Sequence, residues 1–198
     1  MQRIHPFITR YTKTVVPRLT ESRAYVSPYT IPAVKKVVIN CGLGDVLTNG
    51  KAVEEVAALL ATVTGQKPIE TKARKAIAGF KIRTGMVIGM KVTLRGDRMY
   101  DFLYKLTDVA LPRTRDFRGI PASGITKNGT LNIGIRDTSI FPEVPYGATN
   151  HGLQVTVVSN ATSEEEARTF YESVGFIFQA EDEVVRKKRV KKTNYKRK

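Results

Sequence analysis

Lys72, Arg74, Lys75, Lys81 and Arg83 crowd a stretch, residues 71–96, that contains no Asp or Glu. Cations so dense, without a counter-charge beside them, suit a phosphate backbone. Gly79 and Gly85 punctuate the segment, and Ile77, Phe80 and Ile82 are interleaved with the charges. The second half, Val87 to Arg95, alternates with period two. Ile88, Met90, Val92 and Leu94 fall on one side; Gly89, Lys91, Thr93 and Arg95 fall on the other. That pattern predicts a strand with an apolar face for a core and a second face that offers donors and positive charge. The bland alternative is a solvated hairpin with ordinary surface lysines. The agreement in sign between loop and strand face favours nucleic acid.

Catalytic chemistry finds less support. His151, Asp137 and Glu143 share one region, but nothing in their spacing fixes a nucleophile or an acid–base pair. His5 and His151 are far apart and Cys41 is the single cysteine, so neither a metal cluster nor an internal disulfide is expected. Gly42 and Gly44 follow a strand pattern, yet Leu47 stands where a dinucleotide fingerprint needs its third glycine. They are turn residues. The expectation is a protein that binds rather than catalyses, with no cofactor and no metal.

The formal net charge of +15 over 198 residues makes a polyanionic partner the first expectation. Residues 186–198 hold nine Lys or Arg and no acid, and the remainder is still basic. A packaging protein driven by that tail alone would bind any duplex equally. No stretch approaches the length of an apolar membrane span. The first twenty residues are basic and acid-free, which fits a transit peptide or a basic amphipathic helix of the mature protein.

The elements that must position these groups follow in order. Residues 4–22 carry Phe7, Ile8, Tyr11, Val15 and Leu19 at roughly helical spacing, and Pro17 should kink or end that helix. Residues 27–32 read as an extended linker. The strand over 34–41 sends Val37, Ile39 and Cys41 inward, and Val34, Lys36, Val38 and Asn40 outward. A helix over 51–64 buries Val53, Val56, Ala57, Leu60 and Val63, with Gly65 as its cap. Gln66 lies just past that end, where its amide is free to reach a ligand. A short strand over 69–72 leads into the basic loop.

Asp97 is the expected N-cap of a helix to about Ala110, which buries Met99, Phe102, Leu103 and Leu106 before Pro112 stops it. Arg113, Arg115 and Arg118 surround Asp116 and Phe117, either as a second RNA contact or as an Arg–Asp staple that holds a turn. In the strand over 129–136, Leu131, Ile133 and Ile135 go in, and Thr130, Asn132 and Arg136 go out. Residues 137–150 form a long loop whose Ile140, Phe141 and Pro142 follow no period. Phe141 either stays exposed for a protein contact or folds back on the core. A strand over 153–158 follows. Ser163 and Glu166 form a capping box for a last helix that buries Ala167, Phe170, Tyr171 and Val174 and ends at Gly175.

Strands with one polar face, alternating with amphipathic helices, predict an α+β two-layer domain: an antiparallel-rich sheet with helices on one face and the other face open. The domain spans 1–180. The basic extension, 181–198, is expected to be disordered alone. The open face would display Lys36, Asn40, Lys91, Thr93, Arg95, Asn132 and Arg136, with amides, hydroxyls and cations in place of stacking rings.

Several irregular motifs occur together. They are Pro32 to Gly44 (P-x-V-K-K-V-V-I-N-x-G-x-G), Gly65 to Pro68 (G-Q-K-P), the 71–96 stretch, Pro112 to Gly119 (P-R-x-R-D-F-R-G) and Ile140 to Glu143 (I-F-P-E). In this order they closely resemble the bacterial-type ribosomal protein five family of the large subunit, from the N-terminal helix to about Phe178. Because the resemblance begins within the first twenty residues, the mature-helix reading of that segment is preferred. The resemblance implies a non-enzymatic, cytoplasmic protein that seats 5S ribosomal RNA in the central protuberance. The implied 5S contacts are Asn40, Gln66 and Thr93, with Lys36, Lys91 and Arg95 beside them. It also implies P-site transfer RNA contact through Lys72, Arg74, Lys75, Lys81 and Arg83. Ile140, Phe141, Pro142 and Glu143 would lie in an inter-subunit bridge to small-subunit protein thirteen. Further implied partners are 23S ribosomal RNA and other 5S-associated large-subunit proteins. The basic tail departs from the family pattern, and its expected role is to thread along ribosomal RNA.

Overall fold

The computed structural model describes residues 5–22, 25, 27–44, 50–115, 117–145 and 151–179. The basic extension lies outside the described residues. Five strands, β1 (Val34–Gly42), β2 (Ile69–Lys72), β3 (Val87–Leu94), β4 (Thr130–Ile135) and β5 (Leu153–Ser159), form one sheet in the order β2-β3-β1-β5-β4. Every pairing is antiparallel. The central row of the inner face is apolar from strand to strand: Val92 opposes Ile39, Ile39 opposes Val155, and Val155 opposes Ile133. All four are buried. Alternation does the rest, since period-two side chains that face helices on one side must leave their neighbours facing water on the other. The two-layer α+β expectation holds.

Two bulges shift the pleat away from strict alternation. Val34, expected on the polar face, is buried, because the register slips between Val34 and Lys36 and brings Val34 to the same side as Val37. Ile88, expected in the core, is exposed. The register also slips between Thr71 and Lys72, so Lys72 pairs with Val87 and Ile88 is the unpaired extra residue. Val87 packs against the core instead.

Among the described residues, four helices cover the inner face. Helix α1 is composite: α-helical over Pro6–Arg10, π-helical over Tyr11–Val15, and α-helical again over Val16–Ser22. Helix α2 is Gly50–Thr64. Helix α3 repeats the composite form, with α-helical Asp97–Tyr104, π-helical Lys105–Ala110 and α-helical Leu111–Arg113. Helix α4 is Glu164–Val174. Neither Pro17 nor Pro112 stops its helix. A proline ring collides with the carbonyl four residues back, and it offers that carbonyl no N–H. In both helices the wide turn lies two residues ahead of the proline. The amide of Val16 donates to the Tyr11 carbonyl, and that of Leu111 to the Leu106 carbonyl, each five residues back.

The caps depart in detail from expectation. Gly96, with φ of 61°, is the N-cap of α3, and Asp97 sits inside the first turn, where its charge complements the helix N-terminus. At α4, Ser163 Oγ accepts from the Glu166 amide as expected, at 3.3 Å. The Glu166 carboxylate reaches back one residue further, to the amide and hydroxyl of Thr162, and Tyr25 OH donates to its other oxygen. Cys41 is fully buried, and burial pushes its thiol pKa up, which keeps it protonated and inert.

Candidate nucleic-acid interface

The bare face of the sheet is a grid set by register. On it, Ile69, Lys91, Asn40, Gln154 and Gly134 form one row across all five strands. The next row runs Thr93, Val38, Thr156 and Asn132. Asn40 and Lys91 are direct cross-strand partners, with Cβ atoms about 4.5–5.5 Å apart, and Thr93 is their diagonal neighbour. Asn40, Lys91 and Thr93 are exposed, and Lys36 is half-buried two positions along β1. Arg95 is exposed one residue beyond β3.

The two halves of this face differ. On the β5–β4 half, Thr156 Oγ1 donates to Asn132 Oδ1 at 2.8 Å, so the hydroxyl proton and that oxygen are already engaged. On the β3–β1 half, among the described residues, the side chains of Asn40, Lys91 and Thr93 make no hydrogen bond, and their capacity faces outward. Gln66 comes from the end of α2, where Gly65 with φ of 67° turns the chain over the edge of the sheet. The Gln66 amide nitrogen donates to the Thr93 carbonyl at 3.3 Å, which holds the side chain beside β3 and leaves its amide oxygen free. Lys36, Asn40, Gln66, Lys91, Thr93 and Arg95 therefore share one contiguous surface. Asn132 belongs to the same face but is engaged.

The hairpin between β2 and β3 carries the second cluster. Lys72, Arg74, Lys75, Lys81 and Arg83 are all exposed, and none forms an ion pair among the described residues. The tip is a defined turn. Ile77 and Ile82 pair in an antiparallel bridge, with hydrogen bonds of 2.9 and 3.2 Å. Lys81 takes a left-handed conformation, φ 55°, alone among the described non-glycine residues. This geometry pushes Phe80 into solvent, 72% exposed. An aromatic ring at that exposure, in a hairpin of exposed cations, offers a face on which a base can stack. The sequence alone shows Phe80 only as an interleaved apolar residue. At the base of the hairpin, a Cβ on Gly89 would stand 2.9 Å from the Cys41 carbonyl and 3.0 Å from Thr71 Oγ1, so the close strand approach there needs glycine.

The third cluster does not stay together on the surface. Phe141 is fully buried and stacks obliquely on Phe102, with ring centroids 6.1 Å apart, and Ile140 is buried too. Of the two alternatives for Phe141, the structure takes the core. A short 3-10 turn, Thr138–Ile140, folds these apolar side chains inward. Pro142 remains exposed. Glu143 is half-buried and pairs with Lys105 at 2.5 Å. The remainder of this loop, 146–150, lies outside the described residues.

The arginine-rich motif also divides. Asp116 lies outside the described residues, and the expected staple with it. Gly119 has φ of 93°, and a Cβ there would stand 2.7 Å from the Phe178 backbone. Ile120 donates to the Ile177 carbonyl and accepts from the Gln179 amide, at 2.7 and 2.9 Å. This part of the motif clamps the end of the domain, a role its residue types did not reveal. Arg115 and Arg118 remain exposed.

Among the described residues, no group of three His, Cys, Asp or Glu could hold a metal ion. Nor, among the described residues, is any helix long and apolar enough to cross a membrane.

Comparison with known proteins agrees with this arrangement. The sequence model described as ribosomal protein L5 matches residues 27–83, and a second model, for the C-terminus of the same ribosomal family, matches residues 87–178. The large ribosomal subunit protein uL5 of Streptococcus pyogenes serotype M49 (strain NZ131) is 45% identical over 171 residues, which cover 85% of this chain and 95% of the relative. Its counterpart from serotype M5 (strain Manfredo) gives the same figures. With its bare sheet face, its basic hairpin and these matches over most of its length, the chain belongs to the ribosomal protein L5 family, whose role is structural and not enzymatic.

Proposed function

We propose that this protein, as a constituent of the large subunit of a bacterial-type ribosome in the cytoplasm, binds 5S ribosomal RNA on the bare face of its sheet and helps seat it in the central protuberance. One observation carries the proposal. Asn40, Lys91, Thr93 and Gln66 meet on a single surface from three separate elements, with hydrogen-bonding capacity that the protein itself leaves unused. Amides and hydroxyls supply directed bonds to 2′-hydroxyls and base edges, and Lys36, Lys91 and Arg95 supply phosphate neutralisation. The basic hairpin, through Lys72, Arg74, Lys75, Lys81 and Arg83 with Phe80 at its tip, contacts the P-site transfer RNA. Pro142 and Glu143 offer the surface for a bridge to small-subunit protein thirteen, and Ile140 and Phe141 support it from beneath. The basic extension threads along neighbouring 23S ribosomal RNA, next to other 5S-associated proteins.

The test is a titration of the full chain with 5S ribosomal RNA and with an unrelated structured RNA of equal length, over a range of salt. A preference for 5S that survives removal of residues 181–198 supports specific recognition by the sheet. Equal binding to both RNAs, lost with the tail, overturns it in favour of non-specific packaging.

A further inference from the structure

At the other end of the sheet from the basic hairpin, the edge at β4 opens into a cleft of about 650 Å³. One wall is the strand from Asn132 to Arg136. The other is formed by residues 114, 115 and 117–121, where Gly119 packs on the Phe178 backbone. β4 pairs with β5 on its inner side. Among the described residues its outer side is covered only at the start, where Ile125 bridges Leu131 and Gly124 packs on the Asn132 carbonyl. The Asn132 carbonyl thus points outward. Alternate residues of a strand direct their N–H and C=O to the same side, so Gly134 also points outward. Among the described residues nothing pairs with Gly134 on that side. An uncovered edge of this kind is a template for one more strand.

The chemistry around the edge selects the strand that fits. The floor is apolar, with Leu111 and Ile140 both buried beneath the cleft. The rim carries Arg115, Arg118 and Arg136, all exposed and without ion pairs among the described residues. Among the described residues one carboxylate, Asp137, also lines the cleft, and it already has an interaction partner. We infer that this cleft takes an extended acidic segment of another protein, which adds as a sixth strand alongside β4. In an added strand, successive side chains alternate, so apolar residues drop toward Leu111 and Ile140 while carboxylates meet the guanidinium groups. A phosphate backbone fits less well. It gains from the arginines, but its 2′-hydroxyls do not repeat the alternating donor and acceptor of a strand edge, and it has no use for the apolar floor.

The test uses the full chain and three fluorescent probes: an N-acetylated hexapeptide alternating valine and glutamate, its valine–lysine counterpart, and hexauridylate. Anisotropy is expected to show the glutamate peptide binding at least about tenfold tighter than the lysine peptide or the RNA. The double variant Arg115→Glu/Arg118→Glu is expected to weaken the glutamate peptide by about tenfold or more. Gly134→Pro, which removes an outward N–H but no bond to β5, is expected to do the same. Should Gly134→Pro fail to fold, amide exchange on the unaltered chain decides: saturating glutamate peptide should slow exchange at Gly134. Equal affinity for the two peptides, peptide binding that leaves the Gly134 amide unprotected, or tighter binding of hexauridylate that the arginine reversals abolish would each overturn the inference.

Discussion

The side-chain amide of Gln66 donates to the main-chain carbonyl of Thr93 across 3.3 Å, and so joins the end of a helix to the bare face of the sheet. The bond uses one donor of the amide and leaves its oxygen unengaged. Gln66→Ala is expected to weaken 5S binding by about 1–3 kcal/mol, because a desolvated RNA donor is left unpaired. Both groups are accessible, so stability should change by under about 0.5 kcal/mol. Filter binding and urea denaturation on the same variant check both halves.

Asn40 and Lys91 are cross-strand partners with different chemistry, and salt separates them. Lys91→Ala should flatten the dependence of log K on log salt by roughly 0.7–0.9. Asn40→Ala should lower affinity by about 1–3 kcal/mol with the slope unchanged, since an amide releases no counterion. Identical slopes for the native chain and both variants would remove Lys91 from the phosphate contacts.

The exposed ring at the hairpin tip predicts a split between two RNAs. Phe80→Ala should cost about 1–3 kcal/mol in transfer RNA retention by assembled ribosomes, the worth of one stacked base. Affinity for isolated 5S RNA should stay within twofold or so of the native value, since the tip lies off the sheet. Arg74→Ala/Lys75→Ala should show the same split. A transfer RNA footprint unaltered by either variant would detach the hairpin from that contact.

Tyr171 predicts an alkaline limit to stability. Its hydroxyl sits between the carbonyls of Gly129 and Val157, at 2.8 and 2.9 Å, and burial pushes its pKa up to about 12. The folded pKa lies above the unfolded value of 10.0, so the neutral phenol favours the fold. That contribution is complete below pH 10 and is lost as pH rises through 12. The loss approaches about 2–3 kcal/mol. Tyr171→Phe should cost about 1–2 kcal/mol at neutral pH and lack this part of the alkaline slope in urea denaturation.

Much of this arrangement was legible because a pleat has a fixed period. Alternation at 37–41 and 90–94 named the buried and bare sides of β1 and β3 correctly, and with them the neighbourhood of Asn40, Lys91 and Thr93. The same rule failed at Val34 and Ile88, because a bulge inserts one residue without altering composition. Phe141 stayed open between two places because an aperiodic loop carries no phase from which to infer a side. Gly119 was hidden for another reason: its partner is backbone about sixty residues on, and backbone has no residue type to recognise.

The wide turn of α1 has an angular consequence. Phe7, Tyr11, Val15 and Leu19 repeat every fourth residue. On an ordinary α-helix each such step overshoots a full revolution by about 40°, so three steps would swing Leu19 about 120° away from Phe7. Both are nevertheless almost wholly buried. The turn at Tyr11–Val15 takes an extra residue per revolution and winds that drift back. The ring of Pro17 that forbids a normal turn thus also keeps the stripe in phase, and the residue that the wide turn adds is the one the stripe can lose: with one residue deleted from 11–15, an ordinary α-helix would carry Leu19 to within about 20° of Phe7.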